Sequence, residues 1–298
     1  MSLDLVPDGP RLRRFRDNSG PALGISTATL AALPSLAERV AWARDHGFDG
    51  IEIAATGRPR DLYAPSVGRD ERARLREAVA GFAQIAVEAP HQETYDVTLV
   101  SPSASIRRAS VAEIWSCLRF AEALGGGTVV VRTGKAPTGV NADRQRAHVI
   151  ECLQTLDRMA GDHNALLAVL SDDFFRGGER VDLLDMLRLR HTGVALDIGP
   201  LVHDGSNGRA PTSPGDVADL VRALSDRLVH VRLSADADAS VAAALAEAGF
   251  SGMACFAPGP DAVSPEQSAR LAAVWKGTLA AHAAGTRNRG SSSNAAPG

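Results

Sequence analysis

Residues 109–135 read ASVAEIWSCLRFAEALGGGTVVVRTGK. Val111, Ile114, Leu118, Ala121 and Leu124 recur at helical spacing, which marks a helix burying one stripe. Gly125, Gly126 and Gly127 then stop it, because glycine takes the left-handed turn that closes a helix. Thr128 to Val131 are β-branched throughout and do not alternate with polar residues. Such a run suits a parallel strand covered on both faces better than an antiparallel strand wetted on one. The run breaks at Arg132, Thr133, Gly134 and Lys135. A helix–glycine–strand unit that ends in charge is how an α/β barrel presents a site at the C-terminal edge of its strands.

The same unit recurs on both sides of this stretch. Upstream, a short strand over Ala22–Ser26 precedes an amphipathic helix over Pro34–His46, ended by Gly47. A strand over Gly50–Ile53, a charged helix over Arg69–Phe82 and a strand over Gln84–Glu88 follow. Downstream, Asn141 is placed to cap a helix running to Ala160, and Leu166–Leu170 reads as a strand ending in Ser171, Asp172 and Asp173. A helix over Val181–Arg190 leads to a strand over Gly193–Asp197. Helices over Asp216–Leu224 and Val241–Ala248 flank a strand over Leu228–Leu233. A strand over Gly252–Phe256 and a helix from Pro265 to about Ala284 close the series. Strand and helix alternate about eight times over roughly 260 residues, which fits a (β/α)8 TIM barrel better than an open doubly wound sheet. No G-x-G-x-x-G follows the first strand, which removes the dinucleotide-binding reading. The expected organisation is a loose polar arm over residues 1–20, a barrel over 21–284 and a disordered, low-complexity tail over 285–298.

Composition narrows the function. The net charge is −3 with both signs dispersed, and aromatic residues make up 4%, so neither a polyanion-binding face nor a base-stacking platform is expected. No apolar run reaches the roughly 18 residues that a membrane span needs. Arg11, Arg13, Arg14 and Arg16 lack the apolar stretch of a secretory signal. Cys117, Cys152 and Cys255 are odd in number and without metal-type spacing, the usage of a reduced, cytoplasmic protein.

The stretches LAERVAWARDHGFDGIEI (36–53), APHQETYDVTLVSPSASIRRASVAEIWSCLRFAEALGGGTVVVRTG (89–134), HTGVALDIG (191–199) and LVHVRLS (228–234) resemble the xylose-isomerase-like TIM-barrel superfamily. That superfamily includes sugar phosphate isomerases and epimerases, dehydratases and apurinic endonucleases. The resemblance implies chemistry at divalent metals held at the strand ends by His, Glu and Asp. This chain departs from the pattern at those positions. Glu88 stands where a His precedes Ala-Pro, and Arg132-Thr133-Gly134 replaces His-Pro-Gly. The fifth strand offers Leu170, Ser171 and Asp172 in place of a Glu ligand. Asp197-Ile198-Gly199-Pro200 keeps the Asp of Asp-Thr-Gly-His, and His230-Val231-Arg232-Leu233-Ser234-Ala235 replaces His-Val-His-Leu-Lys-Asp. Ala257, not Glu, precedes Pro258. A catalytic metal wants about three protein ligands, and arginine has no lone pair to give. The expectation is therefore no metal and no cofactor.

Convergent strand ends place Glu88, Arg132, Asp197 and Arg232 within reach of one another across the mouth. In one reading Arg–carboxylate pairs plug a former metal site and the barrel is catalytically silent, binding a ligand or a protein partner. In the other the guanidinium groups hold an anionic or polyol substrate, a keto acid or a developing enolate, while Glu88, His91 or Asp197 moves a proton in an isomerase, epimerase or lyase reaction. Glu52, Lys135, Asp172 and His203 join Arg132 and Arg232 as candidate substrate contacts. His230 is read as facing the helix layer, and Cys255 as buried filler. A third reading recruits a metal through Glu88, Asp172, Asp197 and His203. Nucleic acid and membrane are not expected partners; a homodimer is common for this fold.

Overall fold

The computed structural model describes residues 21–135, 138–170, 189–198, 214–224, 227–233, 239–257 and 264–291. Strands β1 (Ala22–Ser26), β2 (Gly50–Ala54), β3 (Gln84–Glu88), β4 (Gly127–Arg132), β5 (Ala165–Leu170), β6 (Thr192–Asp197), β7 (Leu228–Leu233) and β8 (Met253–Phe256) close into one barrel in sequence order. Each strand runs parallel to its neighbours, and β8 returns to β1 with Gly24 opposite Cys255. The described α-helices are α1 (Leu36–Asp45), α2 (Arg69–Val79), α3 (Gln92–Tyr95), α4 (Ala104–Ala123), α5 (Ala142–Asp162), α6 (Pro214–Leu224), α7 (Ala239–Glu247) and α8 (Pro265–Ser291).

A strand covered on both faces needs two cores, and the barrel has them. The larger cluster lies between strands and helices and includes Ile51, Val87, Val129, Val131, Leu167, Val231 and Leu233. The smaller one fills the barrel interior with Ala86, Val130, Ala168, Leu170, Ala195, Met253 and Cys255. Alternation along each strand assigns residues to one or the other. At the floor, a Cβ on Gly24 or Gly50 would strike the Met253 side chain, so two glycines make room for one methionine. On the outer face of β8, Phe256 meets Trp275 of α8 at 5.9 Å and Phe48 at 6.4 Å between ring centroids, both edge-on.

The helix that opens the reading ends as its glycines require. Gly125 N–H donates to the Glu122 carbonyl and Gly126 N–H to the Ala121 carbonyl, both at 3.0 Å, with Gly125 at φ +113°. That pair of bonds is a Schellman closure. Asn141 does cap α5, accepting from Arg144 N–H at 3.0 Å. Other boundaries move for local reasons. The first helix begins at Leu36 because Ser35 and Glu38 form a capping box, with Glu38 N–H on the Ser35 hydroxyl at 3.2 Å and Ser35 N–H on the Glu38 carboxylate at 3.0 Å. Helix α4 begins at Ala104, and α8 continues past Ala284 to Ser291, into residues expected as tail. The expected helix over Val181–Arg190 and the arm over 1–20 fall wholly or mostly outside the described residues.

Candidate active site

Four strands deliver the charged residues to one end of the barrel. Glu88, Arg132 and Asp197 are the last residues of β3, β4 and β6, and Arg232 is the penultimate residue of β7. The register sets Asp197 beside Arg232 on adjacent strands. Arg232 is buried and grips Glu88 with two bonds, Nη1 to Oε1 at 2.5 Å and Nη2 to Oε2 at 3.3 Å. Its Nη2 also lies 3.5 Å from Glu52 Oε1. Burial alone would favour loss of the Arg232 proton, but Glu52, Glu88 and Asp197 outweigh it and hold the guanidinium charged. Arg132 and Asp197 are paired more loosely, at 3.7 Å, and keep 29% and 21% of their side chains exposed. The inner pair is closed and the outer pair faces the opening.

His91 sits at the start of α3, where its backbone N–H donates to Thr94 Oγ1 at 3.1 Å. The ring is buried, and that desolvation pushes its pKa down to about 4, with Glu88 opposing and Arg132 and Arg58 assisting. The imidazole is thus neutral over the physiological range. Lys135 lies outside this group, at the rim, bonded to Glu93 at 2.9 Å with both side chains mostly exposed. Asp172 and His203 lie outside the described residues.

Two interior residues depart from expectation. His230 does not face the helix layer. It stands two residues before Arg232, hence on the same face of β7, with Nε2 3.0 Å from Glu52 Oε2 and both side chains fully buried. The period of two fixed this once Arg232 was taken as inward. Glu52 ionises below the usual carboxylate range: complete burial works against this, and the Arg232 charge, helped by His230 and by the Ser26 hydroxyl, overrides it. The neighbours lower Glu52 through proximity, since neither of its oxygens has a hydrogen bond of good alignment. Cys255 is buried as expected but lines the interior, beside Glu52 and His230.

The divalent metal that the resemblance implies does not fit the described mouth. Glu88 has both oxygens on Arg232, Asp197 faces Arg132, and two guanidinium groups occupy the space between. Among the described residues no three metal-ligating side chains gather at the strand ends.

A closed parallel eight-stranded barrel with its charge gathered at the C-terminal strand ends defines the class of protein. The profile of the xylose isomerase-like TIM barrel family matches residues 40–243, and the chain belongs to that family. The fold is similar to a D-tagatose 3-epimerase-like protein at 18% identity and TM-score 0.66, covering 88% of this chain and 98% of that one. It is also similar to a 3-keto-D-glucoside 4-epimerase from E. coli, at 15% identity and TM-score 0.68, covering 86% and 98%. An L-ribulose 3-epimerase matches at 16% identity and TM-score 0.66, covering 92% and 98%. No functionally curated protein matches the sequence.

Proposed function

We propose that this chain is a sugar isomerase or epimerase-type enzyme that moves a proton next to a carbonyl of a small polyol-like or keto substrate, without a metal at its mouth. The observation that carries the reading is the asymmetry of the two arginine pairs. Arg232, Glu88 and Glu52 are buried and mutually engaged, so they build the floor. Arg132 and Asp197 are partly exposed and meet at 3.7 Å, so a substrate oxygen can displace that contact. Arg132 then stabilises the negative oxygen that develops as the proton leaves, and Asp197 and the neutral His91 are the groups that take and return it. Glu88, with both oxygens committed, anchors Arg232 and is not the mobile base. The fold neighbours that are sugar epimerases support the substrate class. Three free, buried cysteines suit a reducing cytoplasm, and no described helix is long and apolar enough to cross a membrane.

The test is proton–deuterium exchange at the carbons flanking the carbonyl of a ketose panel, followed by NMR in D2O. The reading expects exchange on at least one ketose, at a rate unchanged by added Mn²⁺ or Mg²⁺ and lowered about 100-fold or more by Asp197→Asn. The tight Arg232–Glu88 pair favours one rival, a silent ligand-binding barrel. That rival expects thermal stabilisation by a ligand with no exchange on any member of the panel.

A further inference from the structure

One layer below the mouth, three strands direct a carboxylate, an imidazole and a thiol at one another. Donor atoms of Glu52 on β2, His230 on β7 and Cys255 on β8 all lie within 4.8 Å of one another, and all three residues are buried. We propose that Glu52, His230 and Cys255 form a site for a thiophilic divalent cation, zinc foremost, inside the barrel and beneath the Arg232–Glu88 pair. The site is independent of the reaction proposed above.

Three features carry this. The first is the donor set: one oxygen, one nitrogen and one sulfur are the ligand types zinc takes, and three protein ligands leave a fourth position for water. Zinc bond lengths set O, N and S donors roughly 3.3–3.6 Å apart in a tetrahedral site; here the Glu52 and His230 donors stand at 3.0 Å and all donors lie within 4.8 Å, so the first two part slightly as the cluster closes on an ion. The second is the orphaned polar atoms. Glu52 Oε2 and His230 Nε2 stand 3.0 Å apart, yet neither they nor Glu52 Oε1 and His230 Nδ1 make a well-aligned hydrogen bond, although both side chains are fully buried. Groups of this kind are normally satisfied. The third is charge. Glu52 and Glu88 are two anions around the single Arg232, while Asp197 is taken by Arg132. With His230 neutral the buried group carries one negative charge in excess. A divalent cation with a Cys255 thiolate brings it to zero.

Binding balances without a redox partner. The cation exchanges water for the three donors, His230 gives the lone pair of Nε2, and the Cys255 thiol proton passes to solvent. Without the cation, burial and the nearby carboxylates keep that thiol protonated, so it is inert as a nucleophile. Arg232 opposes the cation least in this arrangement, because its two short bonds are to Glu88 and it approaches Glu52 only at 3.5 Å.

The experiment loads the full chain by refolding with Zn²⁺ or Co²⁺, removes loose ion by gel filtration, and measures metal by mass spectrometry and Co²⁺ by absorption. The expected result is about one equivalent per chain with a thiolate-to-cobalt charge-transfer band in the near ultraviolet. Asp197→Asn at the mouth retains both. Cys255→Ser loses the band and at least tenfold in retained metal, and His230→Gln loses metal to the same degree. Cys117 and Cys152 belong to the outer core and cannot supply the band. Wild-type protein holding less than about a tenth of an equivalent, cobalt bound with no thiolate band, or equal zinc in Cys255→Ser would overturn the proposal. The wild-type measurements decide it even if a variant does not fold.

Discussion

Arg232 is the residue on which the interior turns. Burying a guanidinium is tolerable only because Glu88 takes two of its donors and Glu52 stands close by. Arg232→Met fits the space but leaves two buried carboxylates facing each other, and should cost about 3–5 kcal/mol in urea unfolding. Adding Glu88→Gln should restore part of that loss; a second, additive loss would mean that packing and not charge holds the site. His91 makes a prediction with a definite sign. Its pKa falls from 6.5 unfolded to about 4 folded, so the folded state binds fewer protons in that interval. The stability it contributes is complete above pH 6.5 and is lost as pH falls toward 4. Glu52, also lowered, adds a slope of the same sign only below the ordinary Glu range. His91→Asn should therefore flatten stability against pH between 4 and 6.5, where one group contributes at most about 1.4 kcal/mol per pH unit. Equal slopes for both proteins would place the ring in solvent. Glu88, Arg132, Asp197 and Arg232 were legible because charges that end apolar runs in a barrel converge. His230 was missed although it lies two residues before the inward Arg232, so that alternation along β7 puts both on one face.

At the scale of elements, starts and stops were read about equally well: α2 and α8 begin where expected, but α2 stops at Val79 and α8 runs on to Ser291. Gly125 to Gly127 end α4 through backbone conformations that glycine alone takes freely, and such punctuation is written in the sequence. Gly125→Ala meets no neighbouring atom, so its cost is conformational only, about 1–3 kcal/mol by thermal or urea unfolding. A much larger loss would mean that the turn is packed from outside. The start of α4 was hidden because Ser101, Ser103 and Ser105 read as loop, and Ser103 caps the helix without a side-chain bond. The start of α1 was read two residues early, at Pro34, although Ser35 and Glu38, three residues apart, carry the capping box that sets it at Leu36. The strands were the most legible elements: β1, β3 and β7 match their expected bounds, and β5, ALLAVL, shows the unbroken apolar run of a parallel strand buried on both faces.

Across the whole molecule, the barrel joins an apolar outer core to an inner column of polar and charged residues. The outer core is generic apolar packing, and Trp275 shows its reach. Fully buried on α8, it covers Phe256, which in turn meets Phe48. Trp275→Ala should cost about 3–5 kcal/mol in unfolding free energy. A loss under 1 kcal/mol would show that the closing helix is not part of the cooperative unit. The inner column runs from Met253 over the floor glycines, through Glu52, His230 and Cys255, to Arg232, Glu88, Arg132 and Asp197 at the mouth. Periodicity describes the outer core well and brings the four mouth charges together, but it does not give the pairings within this column, which join residues far apart in sequence. The central claim is that fixed guanidinium charge occupies the mouth. It is tested most directly by anomalous diffraction from crystals grown with Mn²⁺. The account predicts no anomalous peak bounded by Asp197, Arg132 and Arg232, with Glu88 still bonded twice to Arg232. A manganese peak held by Asp197, with both arginines turned away, would contradict it.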